Sequence, residues 1–327
     1  YGTIVHYILE RFFGEYTKEE YLSLEEDKFQ KIVCAYLAEY AVKYFGEEQL
    51  ESNSFTYRLK TILDNVMYLM KHIMEELSQS EFFVADCELK IGEDIPSYTI
   101  VLPDGHKIAV CGSVDRVDIM QRADITYLRI IDYKTGKKQF KLSDILYGIN
   151  LQMLLYLHSI EASGGDKYGE IVPAGILYMP ATVPYISSDS LKSIDKLPDE
   201  LNKELKMNGL LLKDTEIIHG MDKTDAATYI PVKIKAGEPV SSTSLATLAE
   251  FGKIFKKVDM LIAEMGKNIY NGNIEAKPLK GGHDSCEYCP YDSVCAYRQS
   301  NPITCFSVDN KTVIEEITNE INGKEEE

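Results

Sequence analysis

Gly112-Ser113-Val114-Asp115-Arg116-Val117-Asp118, then Ile130-Ile131-Asp132-Tyr133-Lys134-Thr135-Gly136, then Gln152-Met153-Leu154-Leu155-Tyr156, decide how this chain is read. The middle segment is an apolar run ending in Asp-x-Lys, the pattern of a buried strand that delivers an acid and an ammonium at its exposed end. Side chains two apart in a strand point to the same face, so Asp132 and Lys134 look into one site. Asp115 and Asp118 lie three apart and cannot both face that site on a regular strand. Carboxylates that hold a hard divalent cation through oxygen, beside a cation that positions water or meets phosphoryl oxygens, are what metal-dependent phosphodiester hydrolysis needs.

Upstream of this block, apolar residues recur at helical spacing from Thr17 to Tyr44 and from Phe55 to Gln79, with Gly46 and Glu51-Ser52-Asn53-Ser54 as stop and restart. The period then shortens. Phe82 to Ile91, Tyr98 to Leu102, Lys107 to Val110, Ser113 to Met120 and Tyr127 to Tyr133 read as strands, with a hairpin turn at Pro103-Asp104-Gly105. Downstream, Leu142 to Ile160 reads as one amphipathic helix and Ile176 to Met179 as a strand. Strand, helix, strand implies a parallel pair inside a mixed sheet. Helices are expected from Leu197 to Asp222, and a long one from Ser242 to Asn271 started by the caps at Ser241-Ser242-Thr243-Ser244. The end, Ile314 to Glu327, reads as a frayed tail.

The quoted blocks, together with Gly2-Thr3-Ile4-Val5-His6, Leu9-Glu10 and Cys286-x2-Cys289-x5-Cys295, resemble the RecB-like branch of the PD-(D/E)XK nucleases, most of all the nuclease domains of AddB-type helicase-nuclease subunits. The resemblance runs through nearly the whole chain in order. It implies an α/β fold: a restriction-endonuclease-like mixed sheet flanked by helices, with additional helical elements. The expected layout is one nuclease domain over 1–327, mainly helical over 1–80, the catalytic core over 81–180, mainly helical over 181–280, a cysteine-rich metal-cluster segment over 281–305 and a tail over 306–327. Because the chain opens without Met and inside a helical pattern, it reads as a piece of a longer polypeptide.

The same resemblance assigns roles. Asp115, the first Asp of Gly-x-x-Asp, and Asp132 become metal ligands, with the backbone carbonyl of Tyr133 and His6 beside them. On its own His6 reads as a structural histidine; its Gly-x-x-x-His-x-x-Leu-Glu context makes it a ligand. Oxygen donors and one imidazole suit octahedral Mg²⁺ or Mn²⁺, the imidazole favouring Mn²⁺. Lys134 activates water or meets transition-state charge. Gln152 and Tyr156, four apart on a helix, share a face from which Gln152 can hold Lys134 or a DNA phosphate. Glu10, one turn from His6, either orients it or is a surface residue; Glu88 is a reserve acid, and Asp118 a supporting or outward-facing one.

Seven cysteines fall into two groups. Cys34, Cys87 and Cys111 sit in apolar patterns and read as core packing. Cys286, Cys289 and Cys295 match three ligands of a 4Fe-4S cluster whose fourth, in the resembled domains, lies upstream of the Gly-x-x-x-His helix, so the cluster is expected to be incomplete here. A zinc site completed by Cys305 or His283 is the alternative.

The chain carries 52 acidic against 35 basic residues, a net charge of −17. That excludes a protein that grips duplex DNA over its whole surface, so binding is expected to be local, at a basic mouth of Lys134, Lys137, Lys138 and Lys141. No secretory signal and no stretch of eighteen apolar residues occurs, which points to the cytoplasm. No Gly-x-x-x-x-Gly-Lys-[Ser/Thr] phosphate loop is present, so the resemblance implies that ATP hydrolysis belongs to other parts of an assembly, among them an AddA-like helicase-nuclease partner. The expected substrate is DNA at double-strand breaks, cut during recombinational repair. Two rivals stay open: a stand-alone RecB-like exonuclease of CRISPR or phage type, and a non-catalytic DNA-clamping iron-sulfur module.

Overall fold

A computed structural model describes residues 1–136, 138–184, 186, 197–241, 243–291, 293–295, 297 and 302–325. Lys137, Ser242 and the last two residues of the tail, on which parts of the sequence reading fell, lie outside the described residues.

Helices form where apolar side chains recur every three or four positions: α1 (Gly2–Glu15), α2 (Lys18–Leu22), α3 (Glu26–Phe45), α4 (Glu47–Leu50) and α5 (Asn53–Ser78). α1 buries Ile4, Val5, Ile8, Leu9 and Phe12, and α5 buries Val66, Leu69, Met70, Ile73 and Leu77. Gly46 stops α3 at φ +80°, a conformation that favours glycine.

The alternating segment supplies β1 (Phe83–Ile91), a separate hairpin of β2 (Tyr98–Val101) and β3 (Lys107–Val110), then β4 (Gly112–Arg122) and β5 (Ile125–Lys134). After β5 come a 3-10 turn (Leu142–Tyr147), α6 (Gln152–Ser163), α7 (Gly165–Tyr168) and β6 (Glu170–Pro180). β5 and β6 are parallel, as the strand-helix-strand order predicts, while β1 and β4, and β4 and β5, are antiparallel. The remainder is α8 (Leu197–Leu205), β7 (Asn208–Leu212), α9 (Thr215–Met221), the β8 (Lys233–Lys235) and β9 (Glu238–Val240) hairpin, β10 (Leu245–Ala246), α10 (Leu248–Tyr270), β11 (Leu279–Gly281), β12 (Ile303–Cys305) and α11 (Asn310–Glu325). The mixed α/β architecture centres on one six-stranded sheet in the order β1-β4-β5-β6-β7-β10.

Several local readings are corrected. The helix expected from Leu142 breaks, because Gly148 at φ +68° and Asn150 at φ +55° take left-handed backbone that a helix cannot carry. Between Leu197 and Asp222 lies a strand as well as helices. Gly209-Leu210-Leu211-Leu212 is too short an apolar run to distinguish strand from helix by period, and pairing with β6 decides it. The long helix starts after the serine run: Leu245 and Ala246 are drawn into the sheet beside β7, and Thr247 with Glu250 forms the capping box. The tail from Asn310 is helical, with Val313 and Ile317 fully buried, and is not frayed over the described residues. No helix among the described residues is long and apolar enough to cross a membrane.

Candidate active site

Strand register builds the site. Arg116 pairs with Ile131 and Val117 with Ile130, which sets Asp115 opposite Asp132. Across the other edge of β4, Cys87 pairs with Arg116 and Leu89 with Val114, which sets Glu88 opposite Asp115. Asp132 in turn pairs with Tyr178 on β6. Three carboxylates therefore stand in one row across three adjacent strands. Glu88 takes φ +51°, a left-handed conformation rare for a residue with a side chain and concentrated at functional positions.

α1 brings His6 over this row. Its Nδ1 lies 3.0 Å from Glu88 Oε1 and its Nε2 3.7 Å from Asp115 Oδ2. Ser113 donates its hydroxyl to Glu88 Oε2 at 3.0 Å, fixing the carboxylate from the far side. The backbone N–H of Tyr133 donates to Asp115 Oδ2 at 2.8 Å. Among the described residues, His6, Glu88 and Asp115 form the one group of His, Cys, Asp and Glu whose ligand atoms come within 4.8 Å of one another. Lys134 Nζ stands 2.5 Å from Asp132 Oδ2, yet that buried oxygen makes no hydrogen bond, because the close ion pair is not aligned as one.

Electrostatics follow from crowding. Burial, and then the charge of Asp132, push Asp115 up to about 6. The hydrogen bond to Glu88 raises His6 above its ordinary value against the opposing effect of burial, and the same bond lowers Glu88. Burial and the neighbouring Lys134 lower Lys138, whose Nζ lies 5.0 Å from the Tyr178 ring centre.

The site therefore gathers His6, Asp115, Asp132, the Tyr133 backbone and Lys134, as the sequence reading expected. Gln152 and Tyr156 share a face of α6, but Gln152 Nε2 stands 3.4 Å from the Tyr156 hydroxyl and has no bond to Lys134 among the described contacts. Tyr156 reaches the start of β4, where any side chain at Gly112 would collide with its hydroxyl and ring. Glu10 is exposed, and Glu88 is the residue that orients His6. Asp118 points through the sheet into a different cluster. It accepts from Arg116 Nε and Nη2, both at 2.7 Å, and from Arg129 Nε at 3.0 Å, with Glu76 closing the group from α5. Arg116 therefore pairs with Asp118 and Glu76 and not with Asp115.

Glu88 and Ser113 are the residues whose weight the sequence understated. A polar residue alternating with Leu89 and Ile91 was the only signal for Glu88, and its 82-residue separation from His6 hid the pair. The cysteine segment is a run of turns: Cys286 and Cys289 are half-buried and Cys295 exposed. It is closed at its base by the parallel pairing of β11 and β12, which sets Gly281 against Cys305.

The model of the PD-(D/E)XK nuclease superfamily matches residues 1–296. Among curated proteins, an ATP-dependent helicase/deoxyribonuclease subunit from Thermoanaerobacter sp. (strain X514), of the AddB type, is 38% identical over 73% of this chain and 21% of its own length. The protein of the same name from Alkaliphilus oremlandii is 32% identical over 98% of the chain and 29% of its own length. The chain thus spans between a fifth and a third of the length of these curated relatives.

Proposed function

The chain belongs to the PD-(D/E)XK nuclease superfamily, and from that premise we propose that residues 1–327 are one nuclease domain of an AddB-like subunit. It hydrolyses DNA phosphodiester bonds with a divalent cation, at double-strand break ends during recombinational repair, beside an AddA-like helicase-nuclease partner in the cytoplasm. The observation that carries this reading is the row of Glu88, Asp115 and Asp132 with Lys134 at its open end.

The residues fit a hard cation. Asp132 offers a buried oxygen without a hydrogen bond, Asp115 is lifted by the very crowding that a cation relieves, and the donors are oxygens and one imidazole. Asp115, Asp132, the Tyr133 carbonyl and His6 would hold Mg²⁺ or Mn²⁺. Such an ion polarises phosphoryl oxygen and makes bound water acidic. Lys134 places a fixed positive charge where phosphoryl oxygens gain negative charge. Glu88 and Ser113 hold the His6 ring in position, and Gln152 and Tyr156 offer donors to the phosphate backbone. Water oxygen bonds to phosphorus, the ester P–O bond breaks, and the departing oxygen takes a proton.

Cys286, Cys289 and Cys295 are read as three of the four thiolates of a 4Fe-4S cluster, supported by three soft ligands on one loop held at its base. Their sulfurs are not gathered into a ligand group, and no step of hydrolysis is assigned to them. Zinc completed by Cys305 or His283 is the competing reading, and iron, sulfide and zinc analysis separates the two.

The test of hydrolysis is cleavage of labelled single-stranded DNA by the assembled complex. Asp132→Ala abolishes cleavage and leaves ATP hydrolysis by the complex unchanged. Equal cleavage by variant and parent overturns the assignment.

A further inference from the structure

The largest cavity of the described residues lies away from the acidic row, at the far edge of the sheet. It is an open cleft of about 1170 Å³ between β7, β10, the β8–β9 hairpin and the start of α11. That is larger than a small-molecule pocket of roughly 300–1,000 Å³. Its walls carry Lys206, Lys213, Lys233, Lys235 and Lys311. The two acids on the same walls are already engaged: Glu250 accepts from the backbone and hydroxyl of Thr247, and Glu315 faces Lys311 at 3.7 Å. In a chain of net charge −17 this is a concentrated positive cleft.

Two features make the cleft a site for an anion rather than a solvated patch. Lys206 is half-buried and spends its ammonium on two carbonyls, Ala227 O at 2.7 Å and Val232 O at 3.2 Å, with no carboxylate in ion-pair contact among the described pairs. Asp222, whose field supports it, is bound by Thr224 and the Tyr229 N–H. Lys213, Lys233 and Lys235 likewise form no ion pair among the described contacts. A lone cluster of like charges costs stability through repulsion unless an anion joins it.

The cleft is also continuous with the acidic row. Asp132 pairs with Tyr178, and Tyr178 pairs with Asn208, the first residue of β7. With neighbouring strands about 4.8 Å apart, Asn208 lies two strands, roughly 10 Å, from Asp132. Asn208 fixes the segment between the two regions, accepting from Phe140 N at 2.7 Å and donating to Lys138 O at 2.9 Å. That segment carries Lys138 toward Tyr178 on one side, and its continuation places Leu142 in the cleft wall on the other.

We infer that this cleft is a track for the phosphate backbone of a single DNA strand, leading across the Lys138–Leu142 segment to the nuclease site. The inference rests on the proposed nuclease reading. The cleft lining holds no aromatic ring on which bases could stack, so contact is by lysine to phosphate and carries no base sequence.

The test uses the chain with Asp132→Ala, which binds without cutting, and a second variant that adds Lys213→Ala, Lys233→Ala and Lys235→Ala. Both are checked for equal thermal unfolding midpoints, then titrated with a fluorescent 30-nucleotide single strand across a salt series. Each phosphate neutralised on a single strand contributes about 0.7 to the log–log salt slope, so removing three lysines lowers the slope by about 2. Unchanged affinity and slope overturn the track. So does unchanged DNA binding joined to loss of association with the helicase partner, which would make the cleft a docking site for an acidic protein surface. In the parent with intact Asp132, the three changes raise KM for a 30-nucleotide strand and leave cleavage of a dinucleotide unaltered. If no version cuts DNA, the nuclease reading fails while the salt slopes still decide the track.

Discussion

Two clusters of opposite charges occupy the two faces of β4 and β5, and they differ in almost every physical respect. On one face, Arg116, Asp118, Arg129 and Glu76 are fully buried, two cations against two anions, joined by six hydrogen bonds and ion pairs between 2.6 and 3.1 Å. Burial alone would raise Asp118, but the two guanidiniums outweigh it and hold the carboxyl low. On the other face, Glu88, Asp115 and Asp132 outnumber Lys134 and a histidine, one buried oxygen is unbonded, and Asp115 is pushed up to about 6. The first cluster is complete in itself. The second is complete only with a cation from outside. Residue alternation in one strand, Asp115 to one side and Arg116 and Asp118 to the other, separates a structural tie from a reactive site.

That contrast can be broken at several points. The largest effect on folding is expected from Arg116→Met, which strands Asp118 and Glu76 in the interior and should cost about 3–5 kcal/mol in chemical denaturation. A loss under about 1 kcal/mol would show that the inner cluster does not tie the sheet together. Divalent cations act only on the outer cluster. Mg²⁺ or Mn²⁺ at a hundredfold excess over Kd should stabilise the parent by about 2.7 kcal/mol, and Asp115→Asn or Asp132→Asn should remove that gain without destabilising the metal-free protein, because each relieves repulsion. Metal-induced stabilisation that survives both changes would place the ion elsewhere.

A third cluster sharpens the comparison through pH. His158 sits between Asp259 at 3.2 Å and Glu161 at 3.3 Å; burial opposes its charge, but the hydrogen bonds to the two acids prevail and raise it to about 9. A raised histidine stabilises the fold fully below its unfolded value near 6.5, and the contribution is lost as pH climbs through 9. Stability should therefore fall by about 2 kcal/mol between pH 6.5 and 9, and His158→Gln should flatten the profile. A parent profile that is already flat would contradict this. The smallest effect is at the rim: Gly112→Ala should cost about 1 kcal/mol by displacing the Tyr156 ring, and Tyr156→Ala in the same chain should recover part of it. Additive losses would mean that the two residues do not meet.

Sequence reading reached the outer cluster because its members sit on strands at spacings that alternation resolves, Asp132 with Lys134 and Asp115 against Asp118. The inner cluster was hidden, since Glu76 on an amphipathic helix looks like a surface acid and its partners lie 40 and 53 residues away. Glu88 was understated for a related reason: nothing in a sequence announces a left-handed residue within a strand. β7 escaped because four residues of Gly-Leu-Leu-Leu carry no period, and the lysine cleft because its five cations are scattered from 206 to 311 and meet only through tertiary folding.

The left-handed backbone at Glu88 reaches beyond the site. β1 forms one outer edge of the six-stranded sheet, and an outer strand with regular free amides and carbonyls is a template on which stray chains add and fibrils grow. Here the ladder is interrupted by a bulge between Val84 and Asp86 and, two residues further on, by Glu88 at φ +51°. No straight run of outward-facing backbone as long as a zipper-forming segment, roughly six residues, survives along β1. The kink that turns a carboxylate toward His6 thus also keeps neighbouring molecules from stacking edge to edge.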